Sequence, residues 1–189
     1  MNPSKAFALL LLLVTAFSFN IASADEYQST IKVFKNAGKS GTFFNNCYGY
    51  AVFPTIGKGG IGIGGAHGHG GVFVGGTQVG EARMTQLTIG FQLGGQAYSQ
   101  IIFFQDKRAF DEFTSGQFEF GAQATAVAIT AGASASATTT GASSSASGDQ
   151  GSASTAGNYY KGMAIFTVAK GGLMYEATLG GQKYKYIAN

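Results

Sequence analysis

The chain has 189 residues, of which 45% are hydrophobic and 11% charged, and its formal net charge is +3. This length is enough for one domain with a buried core, and so small a net charge does not indicate a nucleic-acid partner. The 30 glycines disfavour long helices and suit short strands joined by tight turns, because glycine destabilises a helix interior by about 1 kcal/mol. A single cysteine excludes an intramolecular disulfide and a zinc site built from cysteines.

The first residues have the pattern of a secretory leader. Lys5 supplies a positive charge, an apolar run extends over residues 6–19, and residues 22–24 read Ala-Ser-Ala, which fits a cleavage site. The apolar run is shorter than the about 20 residues that a spanning helix needs. The sequence therefore predicts a signal peptide over residues 1–24, a domain over residues 25–189, and a protein exported to the periplasm or secreted.

An amphipathic helix is predicted at the start of the mature chain, from Asp25 to about Phe44. Its apolar residues recur at the spacing of one helical face, and Gly38 and Gly41 are expected to end it. The apolar face consists of Tyr27, Ile31 and Phe34, and the adjoining face carries Lys32, Lys35 and Lys39.

The following chain is dominated by apolar and polar residues that alternate with a period of two. The alternation is clearest from Gln86 to Leu93 and predicts a half-buried antiparallel strand with Leu87 on its apolar side. Asp106 opens a short helix over residues 106–114. Small residues fill residues 141–157, which are predicted to form a flexible loop. The predicted fold class is α+β and mainly β, with an antiparallel, glycine-rich sheet that forms a barrel or a sandwich.

The motifs of common enzymes are absent or lack the context that they need. The run from Gly60 to Gly65 matches G-x-G-x-x-G, but the glycines and histidines after it do not start a helix, which excludes a dinucleotide site. His67 and His69 are the only histidines and would point to the same side of an extended segment. Two ligands are too few for a metal site, so we interpret this tract as a polar turn between strands. We predict no catalytic residue, no metal and no cofactor, and we predict that the protein is not an enzyme.

The interval from Tyr27 to Gly80 is basic. No acidic residue lies between Tyr27 and Gly80, whereas Lys32, Lys35, Lys39 and Lys58 fall in this interval. A basic amphipathic helix beside an aromatic-rich sheet is typical of a protein that binds a membrane surface. The residues are equally compatible with a helix that packs its apolar face on the sheet and leaves its lysines in water.

Several short motifs follow one another in order along the chain. They are Tyr50-Ala51-Val52-Phe53-Pro54, Gly57-Lys58-Gly59-Gly60, His67-Gly68-His69-Gly70, Gln86-Leu87-Thr88-Ile89-Gly90, Gln92-Leu93-Gly94-Gly95-Gln96, Ile102-Phe103-Phe104, Phe120-Gly121-Ala122-Gln123, Lys170-Gly171-Gly172-Leu173-Met174 and Gly180-Gly181-Gln182. Together they resemble the SYLF domain family of Ysc84-related lipid-binding proteins, in particular its bacterial exported branch. The resemblance extends from about residue 25 to residue 186.

The resemblance implies non-catalytic, peripheral lipid binding. Eukaryotic members bind phosphoinositides through a basic, amphipathic N-terminal segment, and some engage actin. An exported protein is not expected to meet either partner, so the expected partner here is an anionic phospholipid surface. The matching segment implies headgroup contacts by Lys32, Lys35, Lys39 and Lys58, and membrane insertion of Ile31 and Phe34.

Three alternatives stay open from the residues alone. One is a small outer-membrane β-barrel, which the two predicted helices oppose. A structural envelope protein is another. The third is a metal-dependent hydrolase that uses His67 and His69.

Overall fold

The computed structural model describes residues 24–37, 39–61, 63–89, 95–120, 127–129, 159–170 and 181–189. The predicted leader up to residue 23 and the predicted loop over residues 141–157 lie outside the described residues. The helices are α1 (24–36), α2 (Lys39–Phe43) and α3 (Lys107–Thr114). The strands are β1 (Gly49–Ile61), β2 (Ile63–Val74), β3 (Thr77–Ile89), β4 (Gly95–Phe104), β5 (Gln117–Glu119), β6 (Val127–Ile129), β7 (Met163–Lys170) and β8 (Gln182–Ala188).

The eight strands belong to one sheet, in the order β5-β8-β3-β2-β1-β4-β7-β6. Neighbouring strands run antiparallel except for β6 and β7, which are parallel. Over the described ranges the sheet is open, with β5 and β6 at its edges. The predicted α+β fold with a mainly antiparallel sheet is confirmed, and the closed barrel offered as one form of it is wrong.

The central strands bury both of their faces. On β1, Tyr50 and Val52 point to one face while Ala51 and Phe53 point to the other, and all four side chains are buried. The neighbouring strand β4 is buried without interruption from Tyr98 to Phe104. A strand that is covered on both sides reads in the sequence as a continuous apolar run instead of an alternation.

One face, which we call the α1 face, is covered by α1 and α2. Tyr27, Ile31 and Phe34 are all buried there, which confirms the predicted apolar side of the first helix. The Tyr27 ring meets the Phe73 ring edge-on, with the ring centroids 5.9 Å apart, and Phe73 stacks on Tyr50 at 5.2 Å. Aromatic pairs at these separations stabilise a core beyond the area that they bury.

Helix α1 ends at residue 36 and α2 begins at Lys39, in the region where the sequence predicts a helix end. The Ser40 hydroxyl donates to the backbone carbonyl of Phe34 at 2.6 Å, and so satisfies one of the orphan carbonyls at the end of α1. A Cβ atom added at Gly41 would lie 2.4 Å from the carbonyl oxygen of Lys35. Glycine at position 41 therefore lets α2 approach the last turn of α1.

The opposite face, which we call the α3 face, is covered by α3. The Asp106 carboxylate accepts a hydrogen bond from the Ala109 amide at 2.8 Å and caps the helix, as the sequence predicts. The Phe113 ring packs against Phe104 and Tyr184, with centroid separations of 4.9 and 5.2 Å. Helix α3 thus ties the central strand β4 to strand β8 on this face.

The glycine tract in β2 gives room to large side chains of β1 on the α3 face. A Cβ atom at Gly70 would lie 2.6 Å from the Phe53 ring and 2.6 Å from the carbonyl oxygen of Val52. At Gly68, a Cβ atom would lie 2.6 Å from the Ile56 side chain. The tract lies within strand β2, so the turn predicted at His67 and His69 is wrong. Glycine is required at positions 68 and 70 because side chains of β1 pack closely against them.

In the described part of the pattern from Gln86 to Leu93, the buried and exposed sides are the reverse of those expected. Leu87 is 71% exposed, whereas Gln86 is 6% exposed. Gln86 is buried because it belongs to a polar cluster on the α3 face. In this cluster the Gln182 amide donates to the Gln86 and Tyr98 side chains, at 3.4 and 3.2 Å.

Tyr184 completes this polar cluster. Its hydroxyl donates to the Gln182 side chain and accepts from the Gln100 amide at 3.0 Å. Burial raises the pKa of Tyr184 well above its ordinary value, and it raises the pKa of Tyr98 as well. Both phenols therefore stay protonated and able to donate.

Replacement of Gly70 by alanine is expected to lower the free energy of unfolding by about 1–3 kcal/mol, because the added methyl group overlaps backbone and ring atoms. Gly57→Ala is the matched control, since nothing lies within 4 Å of its added Cβ atom. Urea denaturation of the two variants checks this. Equal stabilities would contradict the close packing of β1 and β2.

Tyr184→Phe is expected to lower the free energy of unfolding by about 1–3 kcal/mol, because the buried amides of Gln100 and Gln182 each lose a partner. Tyr160→Phe is the control, because Tyr160 is exposed, and it is expected to stay within about 0.5 kcal/mol of the parent. Thermal denaturation checks both values, and a fully stable Tyr184 variant would show that the network contributes nothing.

Candidate functional site

The second half of α1 exposes lysines to solvent, whereas its first turn exposes Asp25 and Glu26. Lys32 and Lys35 are exposed, and neither forms an ion pair with a carboxylate in the described part of the chain. The ammonium of Lys35 lies 5.3 Å from the centroid of the Phe44 ring, which is a cation–π contact. Lys39, on α2, is exposed as well. Three of the four predicted headgroup-binding lysines are therefore exposed on the helices that cover the α1 face.

The fourth, Lys58, lies elsewhere. It follows Ile56 by two residues on β1, and Ile56 packs in the core of the α3 face. Alternation along the strand therefore places Lys58 on the α3 face. The sequence could not show this, because a register shift between Val52 and Thr55 resets the alternation of β1.

The two residues expected to insert into a membrane are buried in the protein instead. Ile31 is 3% exposed and Phe34 is 0% exposed, and both pack in the core of the α1 face. The exposed apolar residue of α1 is Val33, at 46%. In the docked helix, Ile31 and Phe34 hold α1 on the sheet, and they do not face a bilayer.

The α1 face continues beyond α1 as an exposed surface on β2, β3 and β8. Gly71 marks the boundary, since a Cβ atom there would touch the ring of Tyr27. Two residues before Gly71, His69 pairs across the sheet with Arg83, and Arg83 pairs with Lys185. All three are exposed and point to the same side. We call these three residues the basic row.

Sequence reasoning missed Arg83 and Lys185 as site residues. About 100 residues separate the two in the chain, and only the pairing of β3 with β8 brings them together. The period-two spacing of Lys183 and Lys185 was the available signal. Exposed Leu87 and Ile187 lie on the same side of the sheet.

The two histidines lie close together within β2. Their Nε2 atoms are 2.9 Å apart, so one ring donates to the other. Partial burial lowers the pKa of His69, and the neighbouring His67 and Arg83 lower it further. No group of three metal-ligating side chains occurs in the described ranges. A cation beside the pair disfavours a metal ion, so the geometry gives the metal-dependent hydrolase no support.

The thiol of Cys47 lacks the environment of a catalytic nucleophile. Partial burial raises the pKa of the Cys47 thiol, whereas a reactive cysteine needs a lowered pKa. None of the described helices has the length and the apolar character that crossing a bilayer would require.

A model of the Ysc84 family, described as Las17-binding protein, actin regulator, matches residues 85–185. The match covers just over half of the 189 residues. The chain belongs to this family, which is the SYLF domain family of the sequence resemblance. A comparison with curated proteins gave no match.

The family is linked to lipid binding and to actin regulation and is generally non-catalytic. The matched residues include β4, α3, β7 and most of β8. The match includes Lys183 and Lys185. The lysines of α1 and α2 and both histidines precede it and lie outside it.

Phe34→Ala is expected to destabilise the protein by about 3–5 kcal/mol and to release α1 from the sheet, because Phe34 fills the core of the α1 face. Val33→Ala is the control on the same helix and is expected to change stability by less than about 0.5 kcal/mol. Hydrogen exchange of the α1 amides measures the release. Unchanged protection in the Phe34 variant would contradict the docked helix.

Proposed function

We propose that this protein binds anionic phospholipid as a peripheral, non-catalytic module at a cell-envelope surface. The observation that carries the proposal is the exposed basic side of α1 and α2, formed by Lys32, Lys35 and Lys39. The lipid link of the family supports it. We do not transfer the actin link, because the predicted export separates the chain from cytoplasmic actin.

The docked position of α1 determines what kind of binding we propose. Because Ile31 and Phe34 are occupied in the core, the exposed lysines and Val33 are the groups by which we propose that the docked helices meet a bilayer. Each lysine near an anionic surface contributes roughly 1 kcal/mol, so three contribute roughly 3 kcal/mol. Binding of this kind is weak, reversible and sensitive to salt, because it is mainly electrostatic.

Insertion of Ile31 and Phe34 is a second stage of the same proposal. It requires α1 to leave the sheet and to expose the apolar surface of the α1 face. The bilayer then has to bury as much apolar surface as the core loses, since the hydrophobic free energy is proportional to area. Electrostatic attachment of the docked helix comes first in this order of events.

The test is vesicle binding of a triple variant, Lys32→Gln, Lys35→Gln and Lys39→Gln. The expected result on vesicles rich in phosphatidylglycerol is a loss of affinity of about 100-fold, which corresponds to about 3 kcal/mol. A charge-matched control carries Lys107→Gln, Arg108→Gln and Lys161→Gln, which remove three exposed cations at α3 and beside it. Co-sedimentation over a series of salt concentrations measures both variants.

Three results would contradict the proposal. The first is equal binding to neutral and anionic vesicles by the unmodified protein. The second is an equal loss of affinity in the two triple variants, which would indicate a net-charge effect. The third is normal binding by the α1 variant, which would remove α1 and α2 as the contact surface.

A further inference from the structure

The basic row brings cations together, and the exposed acidic residue beside it on β3, Glu81, forms no ion pair with them. Arg83 lies directly between His69 and Lys185 in adjacent strands. Side chains of directly paired residues have their Cβ atoms about 4.5–5.5 Å apart, and like charges in this arrangement repel. In the described part of the chain no carboxylate oxygen lies within 4.0 Å of Arg83 or Lys185.

In the neighbouring row of the same sheet, a lysine is neutralised by an ion pair. Lys183 on β8 lies 3.5 Å from the Glu119 carboxylate on β5. The basic row has Gln117 at the corresponding position of β5, which pairs with Lys185 and carries no charge. Charge compensation is thus present in one row and missing from the next.

The histidine pair extends the row into a compact donor set. His67 and His69 meet at their Nε2 atoms, and His69 stands beside Arg83. Arginine, lysine and imidazolium groups offer several N–H donors to a single oxyanion, and arginine matches phosphate oxygens with two parallel donors. The three residues of the row are exposed, so an anion in solution can reach them.

We propose that His67, His69, Arg83 and Lys185 form a binding site for a phosphate monoester group on the open part of the α1 face. Arg83 and Lys185 supply permanent positive charge, and the histidine pair supplies a charge that depends on pH. The group is either free phosphate or the headgroup of a lipid such as phosphatidic acid. The site is separate from the lysines of α1 and α2, so each proposal can fail without the other.

The pH dependence has a defined direction. In the free protein, burial lowers the pKa of His69, the neighbouring His67 and Arg83 lower it further, and Glu81 raises it. A bound anion acts in the same direction as Glu81, so binding takes up a proton and strengthens as the pH falls. The other groups around the pair are Lys183 and Lys185 on β8, and Thr55 on β1.

Thr55 on β1 links this surface to α1 and β7. Its hydroxyl donates to the Glu26 carboxylate at 3.2 Å and accepts from the Lys170 ammonium at 2.6 Å. The charges of Glu26 and Lys170 oppose one another there. Their joint effect on the histidine pair is therefore small compared with that of Arg83.

The first experiment is an NMR titration of the purified protein with inorganic phosphate, followed through the amide shifts of β2, β3 and β8. Lys185→Gln and Arg83→Gln are each expected to weaken phosphate binding about fivefold, as the loss of one close charge contact predicts. Lys107→Gln, on α3, removes the same charge from the other face and is expected to leave the titration unchanged. Shifts that are absent from these strands, or that Lys107→Gln reduces equally, would overturn the site.

A second titration uses sulfate, which keeps its charge between about pH 7.5 and about pH 5.5. Sulfate is expected to bind about fivefold more tightly at the lower pH. A double variant, His67→Asn and His69→Asn, is expected to lose this dependence while it keeps the remaining affinity. A pH dependence that persists in the double variant would exclude the histidine pair from the site.

Vesicles distinguish the two sources of the phosphate group. Vesicles with phosphatidic acid carry a monoester, and vesicles with phosphatidylglycerol carry a diester. If the lipid headgroup is the ligand, phosphatidic acid is preferred, Lys185→Gln removes the preference, and free phosphate competes. If there is no preference while the phosphate titration succeeds, the site takes the free anion.

Discussion

Burial of the central strands on both faces is the constraint on which the rest of the structure depends. β1 and β4 carry large apolar side chains on both sides, and each side needs a separate cover. Helix α1 with α2 covers one side and α3 covers the other. The apolar side chains of a central strand are buried only when a helix packs over them. The helices are therefore part of the core.

The same constraint leaves the outer strands half covered. Helix α1 contacts the sheet at Gly71 on β2 and at Thr55 on β1, and the sheet continues sideways through β3 and β8. On these strands one side belongs to the core, with Met84 and Tyr184 buried, and the other side is exposed. Charged residues therefore collect on the exposed side, and the surface next to α1 becomes basic. The basic character of this surface therefore follows from the position at which α1 stops covering the sheet.

The proposed functions use two parts of this side of the molecule. The lysines of α1 and α2 stand on the outward side of a docked helix, where an anionic surface meets them without any change in the fold. The basic row lies on the sheet itself, beside the helix. Val33 on α1, and Leu87 and Ile187 on the sheet, add exposed apolar groups to the same side. A module of this kind needs no catalytic group, in keeping with a family that is generally non-catalytic.

The sequence by itself determined the elements that rest on local rules. The apolar face of α1 follows from residues one helical turn apart, and α3 follows from the Asp106 cap. Membership of the family followed from short motifs. The tertiary structure decided what depends on contacts between distant residues. Gln86 is buried and Leu87 exposed because Gln182 provides the buried partner. Ile31 and Phe34 face the core because they pack in the same buried cluster as Tyr50 and Phe73 on the sheet. Arg83 meets Lys185 through strand pairing that no local pattern encodes.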